Sequence, residues 1–256
     1  MRTTVILNLK GGVAKTATTV NTAAILAKDY GKRVLVIDAD SQCNTTEFFG
    51  GDPAKGNLAG PLRDGRAEDA AWGIQSTRLP GVDLLAGDES LMDLDLTTAA
   101  LNAAQTGCLR DMVQVLDSMK LYDWVLVDCP PAFNAASAAA LLAADEVVIP
   151  IKLDAFSLRG MANLMRQIAN MRQINGKLRL AGLLPTMWYK SANIQEAETQ
   201  LLTSGLPVFP HIRRTNKVDD MTFAQEPLIS CSPKSAACID YRRFVAQLLE
   251  GGAANA

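Results

Sequence analysis

Two lysines, two glycines and a threonine crowd into one short segment, Lys10-Gly11-Gly12-Val13-Ala14-Lys15-Thr16. A β-branched run, Thr3-Thr4-Val5-Ile6-Leu7, precedes it, and an apolar stretch with helical character follows. A strand, a glycine-rich loop and a helix in that order form a phosphate cradle. Small residues let backbone N–H groups turn toward an anion, the helix presents its positive N-terminal end, and Lys15 can reach β- and γ-phosphates. The Thr16 hydroxyl is then placed for Mg²⁺. With Ala17, residues 10–17 make the candidate nucleotide-binding loop. Lys10 is not needed for phosphates that Lys15 already serves. It is either a solvated lysine at a strand end or a charge offered to a second nucleotide across a dimer interface, as an arginine finger is offered in trans.

Three carboxylates follow hydrophobic strands. Asp38 and Asp40 come after Arg33–Ile37, and Asp128 comes after Trp124–Val127. Open α/β sheets bind ligands at the edge where strands end. An acid there, opposite a phosphate loop, can hold Mg²⁺ or its waters, or it can simply cap a turn or helix. Three at one edge beside the lysine loop favour metal and water positioning, with Thr16, Asp38 and Asp128 as the candidate metal residues.

The elements that must position these groups alternate between strand and helix, which implies a parallel sheet with crossover helices. The pattern predicts helices over 16–28, near 90–104, 109–119, 158–174, 194–203 and 235–249. Strands are predicted over 33–37, 82–86, 124–127, 147–151 and 178–184. Residues 50–66, rich in Gly, Pro and charge, read as a mobile surface loop. The expected fold is α/β, a single-domain P-loop architecture with a mostly parallel sheet and helices on both faces. It spans residues 1–250 and leaves a flexible tail at 251–256. A chain of 256 residues can bury one large core, and its net charge of −2 gives no global drive toward nucleic acid. Five cysteines show no CxxC pair, the one histidine is His211, and no apolar run reaches the roughly 18–20 residues of a membrane span. The start of the chain lacks a signal-peptide pattern, so the expectation is a reduced, cytoplasmic protein.

The segment KGGVAKT resembles the deviant Walker A motif, KGGxxK[ST], of the ParA/MinD family of ATPases. Within that family the first lysine, here Lys10, reaches the partner's phosphates in a nucleotide-sandwich homodimer, and the second, here Lys15, serves its own. The family more often carries glycine at the position of Ala14. The segment Val36–Thr46 is similar to the family's D-x-D-P-Q-G-N-x-T, with Asp38, Asp40, Gln42, Asn44 and Thr46 matching and Ser41 and Cys43 departing. By that match Asp40 positions the attacking water, and Lys10, Lys15 and Asp40 are the catalytic set. Val125–Ala132 resembles the Walker B segment, with Asp128 as the Mg²⁺-linked acid. Pro150-Ile151 with Ser157-Leu158 and Gly160 echoes an interface segment.

The resemblance implies ATP and Mg²⁺ as ligands, slow hydrolysis stimulated by a ParB-like or other cargo adaptor, and nonspecific double-stranded DNA as a partner. Candidate DNA contacts are Arg213, Arg214, Lys217, Arg242 and Arg243, a cluster that otherwise reads as solvated helix faces. The implied role is to position or partition a plasmid, chromosome or protein organelle over the nucleoid. The chain starts at its first strand, so no N-terminal helix-turn-helix domain is expected. An alternative is a MinD-like, membrane-associated ATPase. Its anchor would be the last helix, where Ile239, Phe244, Val245, Leu248 and Leu249 are read as one apolar face, a pattern that more often marks a helix docked on the core. Cys108 and Cys129 lack the glycine-rich setting of the superfamily's iron–sulfur protein, a metabolic ligase leaves Lys10 without a role, and no NKxD-like guanine motif is present.

Overall fold

Apolar residues in the central strands alternate between two cores, and that alternation sets the layering. Val5, Leu35, Ile37, Val125, Val127, Val147 and Ile149 face one core. Their neighbours Ile6, Val34, Val36, Leu126 and Val148 face the other. A strand buried on both faces must be covered by helices on both, as parallel sheets are. The computed structural model describes residues 1–96 and 103–253, with side chains described outside 95–104 and 155–160.

The strands are β1 (Arg2–Ile6), β2 (Val34–Asp38), β3 (Gln75–Ser76), β4 (Val82–Leu85), β5 (Trp124–Asp128), β6 (Glu146–Lys152) and β7 (Arg179–Thr186). They form one sheet in the order β3-β4-β2-β5-β1-β6-β7, parallel except for the β3–β4 pair. The expected α/β architecture is therefore observed. One face carries α1 (Lys15–Tyr30), α2 (Asn44–Phe49), α10 (Lys217–Ala224), α11 (Leu228–Cys231) and α12 (Ala236–Leu249). The other carries α3 (Ala59–Asp64), α4 (Ala67–Trp72), α5 (Leu91–Leu96), α6 (Ala103–Ser118), α7 (Ala135–Ala143), α8 (Ala155–Ile174) and α9 (Ala192–Leu202). Register puts Ile6, Asp38 and Asp128 side by side at the carboxyl end of β1, β2 and β5. The motif residues are thus brought to one edge by strand pairing alone.

Residues 50–66 depart from the loop reading. They hold a 3₁₀ turn at Pro53–Lys55 and then α3, with Leu58 and Leu62 fully buried. The four-residue spacing of those leucines makes a one-sided helix turn, and Asn57 Oδ1 accepts from Ala59 N at 3.0 Å to start it. Gly56 and Gly65 bound the segment at positive φ instead of loosening it. Expectation and structure differ again near residue 104. The helix expected over 90–104 is α5 where described, residues 97–102 lie outside the described residues, and α6 starts at Ala103. On α12, Ile239 does not share the docking face. Cys238, Tyr241, Phe244, Val245 and Leu248 are buried whereas Ile239 is exposed, because 239 lies about 140° around the helix from 244. The packed side of α12 is used against α1 and the sheet. Among the described residues no helix is long and apolar enough to cross a membrane. Ala253 N donates to Ala181 O at 2.9 Å, so the start of the expected tail lies along β7, and residues 254–256 lie outside the described residues.

Candidate active site

The lysine loop leaves β1 and closes on α1 through two left-handed residues, Gly12 at φ 69° and Ala14 at φ 66°. Positive φ at alternate positions turns successive N–H groups to one side, which is the anion-binding geometry of such loops. Asn8 fixes the entrance, donating from Nδ2 to Pro150 O at 2.7 Å and accepting from Lys10 N at 2.9 Å. Thr186 Oγ1 donates to Val13 O at 3.1 Å, tying the loop to the end of β7. Ala14 carries a Cβ in a conformation that suits glycine, at a cost on the order of 1 kcal/mol. Ala14→Gly is accordingly expected to raise the melting midpoint of the nucleotide-free protein by about 2–4 °C, read from a thermal unfolding scan.

Lys15 is buried, and its Nζ donates to Lys10 O at 3.3 Å, back across the loop. Burial pushes its pKa down, while Asp128 and Asp40 pull it up. Lys10 points elsewhere: its Nζ lies 2.8 and 2.6 Å from the two carboxylate oxygens of Asp154, just after β6. The two lysines of the loop therefore occupy separate positions. The side chains of Ser157, Leu158 and Gly160, read as an interface segment, lie outside the described residues.

Asp128 is fully buried. Its Oδ2 accepts from Thr16 Oγ1 at 2.7 Å and from Thr45 Oγ1 at 2.6 Å. Its Oδ1 is the buried side-chain oxygen left without a hydrogen-bond partner among the described residues. An orphaned carboxylate oxygen beside a threonine hydroxyl offers the hard oxygen donors that fit Mg²⁺ or its bound water. Thr16 and Asp128 are thus brought together as expected. Asp38 sits next to Asp128 in register but is turned to the protein. Its Oδ2 accepts from Thr46 N and Oγ1, both at 2.8 Å, and its Oδ1 accepts from Asp40 N at 3.1 Å. Thr46 Oγ1 in turn accepts from Gly87 N at 2.8 Å, so Asp38 braces the loop that carries Asp40.

A family profile described as AAA domain matches residues 1–180. The chromosome partitioning protein ParA of Caulobacter vibrioides is 34% identical over 200 residues, covering 77% of this chain and 73% of that protein. The chain belongs to the ParA/MinD family of ATPases. The ATPase Soj of Thermus thermophilus, described as chromosome-partitioning, is 31% identical over 256 residues, covering 97% of this chain and 96% of that protein. Among solved structures, cobyrinic acid a,c-diamide synthase of Mycobacterium smegmatis with bound ADP and magnesium aligns at a TM-score of 0.81. It is 29% identical and covers 98% of this chain and 94% of that one.

In this ParA-family chain Asp40 is half-buried at the mouth of the site, its Oδ1 accepting from Gln42 N at 3.0 Å. Cys43 adopts φ 54° where the family motif has glycine, and burial holds its thiol up at about 12, so it is protonated and inert. Sequence reasoning missed Thr45, whose hydroxyl holds Asp128, and Gly87, where a Cβ would meet Asp38 and Asp40 at 3.1 Å. It also missed a cavity of about 400 Å³ beside Ala14, lined among others by Thr186, Met187, Tyr189, Ile212 and Thr215. Arg213 and Arg214, read as DNA contacts, line that cavity too. Four of the five basic candidates face carboxylates: Arg213 bonds Asp240 at 2.8 Å, Lys217 lies 2.8 Å from Asp220, Arg242 lies 2.8 Å from Asp29, and Arg243 lies 3.9 Å from Asp240.

Proposed function

We propose that the chain is an ATP-driven dimerisation switch that holds nonspecific double-stranded DNA and positions or partitions a cargo over the nucleoid. The observation that carries this reading is the divergence of the two loop lysines. Lys15 is folded into the cradle, whereas Lys10 is held outside it by Asp154 and is available to a neighbouring molecule once that pair opens. Backbone N–H groups of residues 11–16 and Lys15 bind the triphosphate, with the base in the cavity between Met187 and Thr215. The expected site set is Lys10–Ala17 for nucleotide, Thr16 and Asp128 for Mg²⁺, with Asp38 behind them, and Asp40 to orient the attacking water. When bound, Mg²⁺ supplies positive charge to the phosphates. Lys10 of one subunit adds charge to the nucleotide of the other, and Asp40, which cannot itself stabilise an anionic transition state, fixes where water stands. A ParB-like or other adaptor triggers turnover and releases the dimer.

Gel retardation of arbitrary duplex DNA tests this. Retardation is expected with ATP alone, absent with ADP or no nucleotide, lost in Lys10→Ala and weakened by salt. Equal retardation with ADP overturns the switch. Arg214, the one of the five with no carboxylate pair among the described residues, lines the cavity assigned to the base, and close pairing leaves Arg213, Lys217 and Arg242 little free charge. The exposed Arg243 of α12, 3.9 Å from an Asp240 already held by Arg213, is therefore the DNA candidate that can be tested apart from nucleotide binding. Arg243→Ala is expected to lower the slope of log affinity against log salt by about 2 per dimer, one for each copy, with ATP affinity unchanged.

A further inference from the structure

The wall of the cavity beside Ala14 is a two-stranded ribbon. Ile212 N donates to Pro185 O at 2.7 Å, Trp188 N to Ile212 O at 2.9 Å, and Arg214 N to Trp188 O at 2.7 Å. Met187, Tyr189 and Ile212 line the cavity. Trp188 and His211 do not; they form a cluster with Glu198 of α9. Their rings are parallel at 4.0 Å, and both bond to Glu198: Trp188 Nε1 donates to Oε2 at 2.8 Å, and His211 Nδ1 lies 2.6 Å from Oε1. Met187, between the cavity and this cluster in sequence, sits at φ 53°. A long side chain in the left-handed region is strained, and such strain persists only where the surroundings over-determine it. The residue that follows it supplies that restraint three times over, through its N–H, its carbonyl and its indole.

We propose that Glu198 is a positioning residue for the nucleotide base. Its carboxylate fastens Trp188 and His211 to α9, and so keeps the strained Met187 wall at the spacing of a flat purine. This rests on the reading that the cavity receives the base. Glu198 touches no ligand; it acts through the ribbon. The consequence is a selective loss. Without Glu198 the P-loop still binds phosphates, but the base loses its pre-formed slot, and pre-organisation of this kind is worth affinity without new contacts.

Calorimetric titration of the full chain with Mg²⁺ and either ATP or inorganic tripolyphosphate separates the two contributions. Glu198→Ala is expected to weaken ATP about tenfold, the loss of a pre-formed slot for the base, with tripolyphosphate affinity and saturated turnover unchanged. Glu198→Gln restores ATP affinity, since its amide can accept from the indole and donate to the imidazole. His211→Phe, which keeps a ring in the stack and removes one bond, is expected to lie between, near threefold. Equal losses for ATP and tripolyphosphate, or no loss for ATP in Glu198→Ala, overturn the proposal. Thr215→Phe, which fills the cavity, tests the underlying reading. If it leaves ATP affinity unchanged, the base lies elsewhere and both ideas fall. If it weakens ATP while Glu198→Ala does not, only the role of Glu198 falls.

Discussion

Lys10→Ala is expected to abolish ATP-dependent dimerisation and with it to cut ATP turnover by about a thousandfold, while the lone subunit binds ATP within threefold of the native chain. The size follows from the chemistry of a cation supplied in trans, which contributes at least that factor to phosphoryl transfer by stabilising charge that appears only in the transition state. The sparing of ATP binding follows from geometry. Lys15, not Lys10, is folded into the cradle, and the Lys10 ammonium is held at 2.6 Å by Asp154.

That pair by itself adds little to the cost of the movement required. Lys10 and Asp154 are 36% and 28% exposed, and ion pairs of such accessibility are worth about 1 kcal/mol or less. A triphosphate carrying several negative charges outbids a single carboxylate for the same ammonium. Light scattering with a non-hydrolysable ATP analogue, together with phosphate release, checks the prediction. A Lys10→Ala protein that still dimerises and hydrolyses normally removes the lysine from the partner's site.

Strand pairing made much of this site readable from sequence. The runs at 34–38, 124–128 and 147–151 are buried on both faces, so each is a continuous apolar stretch whose stop at a polar residue marks the ligand edge. The lysine loop was readable for a similar reason, since small residues between a strand and a helix have few other uses. Helices α2, α4, α7, α10 and α11 were not anticipated. Each is short or alanine-rich and gets its stability from packing more than from periodicity. Residues 50–66 misled because glycine and proline can punctuate short helices as readily as they can open a loop.

The cavity proposed for the base was illegible for a different reason. Its walls come mainly from residues 186–189 and 212–219, with Ala14, Lys152 and Tyr241, and the two segments meet in the ribbon that extends β7. The bracket around His211 needs a third segment, α9, and no spacing rule links 188, 198 and 211. Asp38 shows the limit of motif matching most clearly. Its place in a D-x-D motif groups it with the metal acids, yet both its oxygens are engaged by Thr46 and the Asp40 amide. The motif gives the residue type; the neighbouring threonine decides what the carboxylate does.

Asp128→Asn is expected to stabilise the metal-free protein at pH 8 while lowering turnover about 10–100-fold. Burial drives the Asp38 carboxyl up to about 7, with Asp128 adding to it, and drives Asp128 up to about 6 against the pull of Thr45, Thr16 and Lys15. In the unfolded chain both return to the ordinary aspartate value near 3.9. Between about pH 4 and pH 7 the folded metal-free protein therefore binds more protons than the unfolded chain, and its stability falls as pH rises through that window. Raised carboxyls contribute stability that is fully present below the unfolded value and lost above the folded one. Asparagine is neutral throughout, so the variant keeps the contribution at pH 8. The gain is about 3 kcal/mol, or roughly 9 °C in melting midpoint for a chain of this size. Saturating Mg²⁺ and ATP should flatten the native profile, because bound cation favours the ionised acids, whereas the metal-free variant keeps only the slope that the buried Asp38 contributes. Melting curves from pH 5 to 8, with and without Mg²⁺ and ATP, test both halves. A metal-free Asp128→Asn protein that melts below the native one at pH 8 shows that the buried charge is no burden, and that Lys15 already neutralises it.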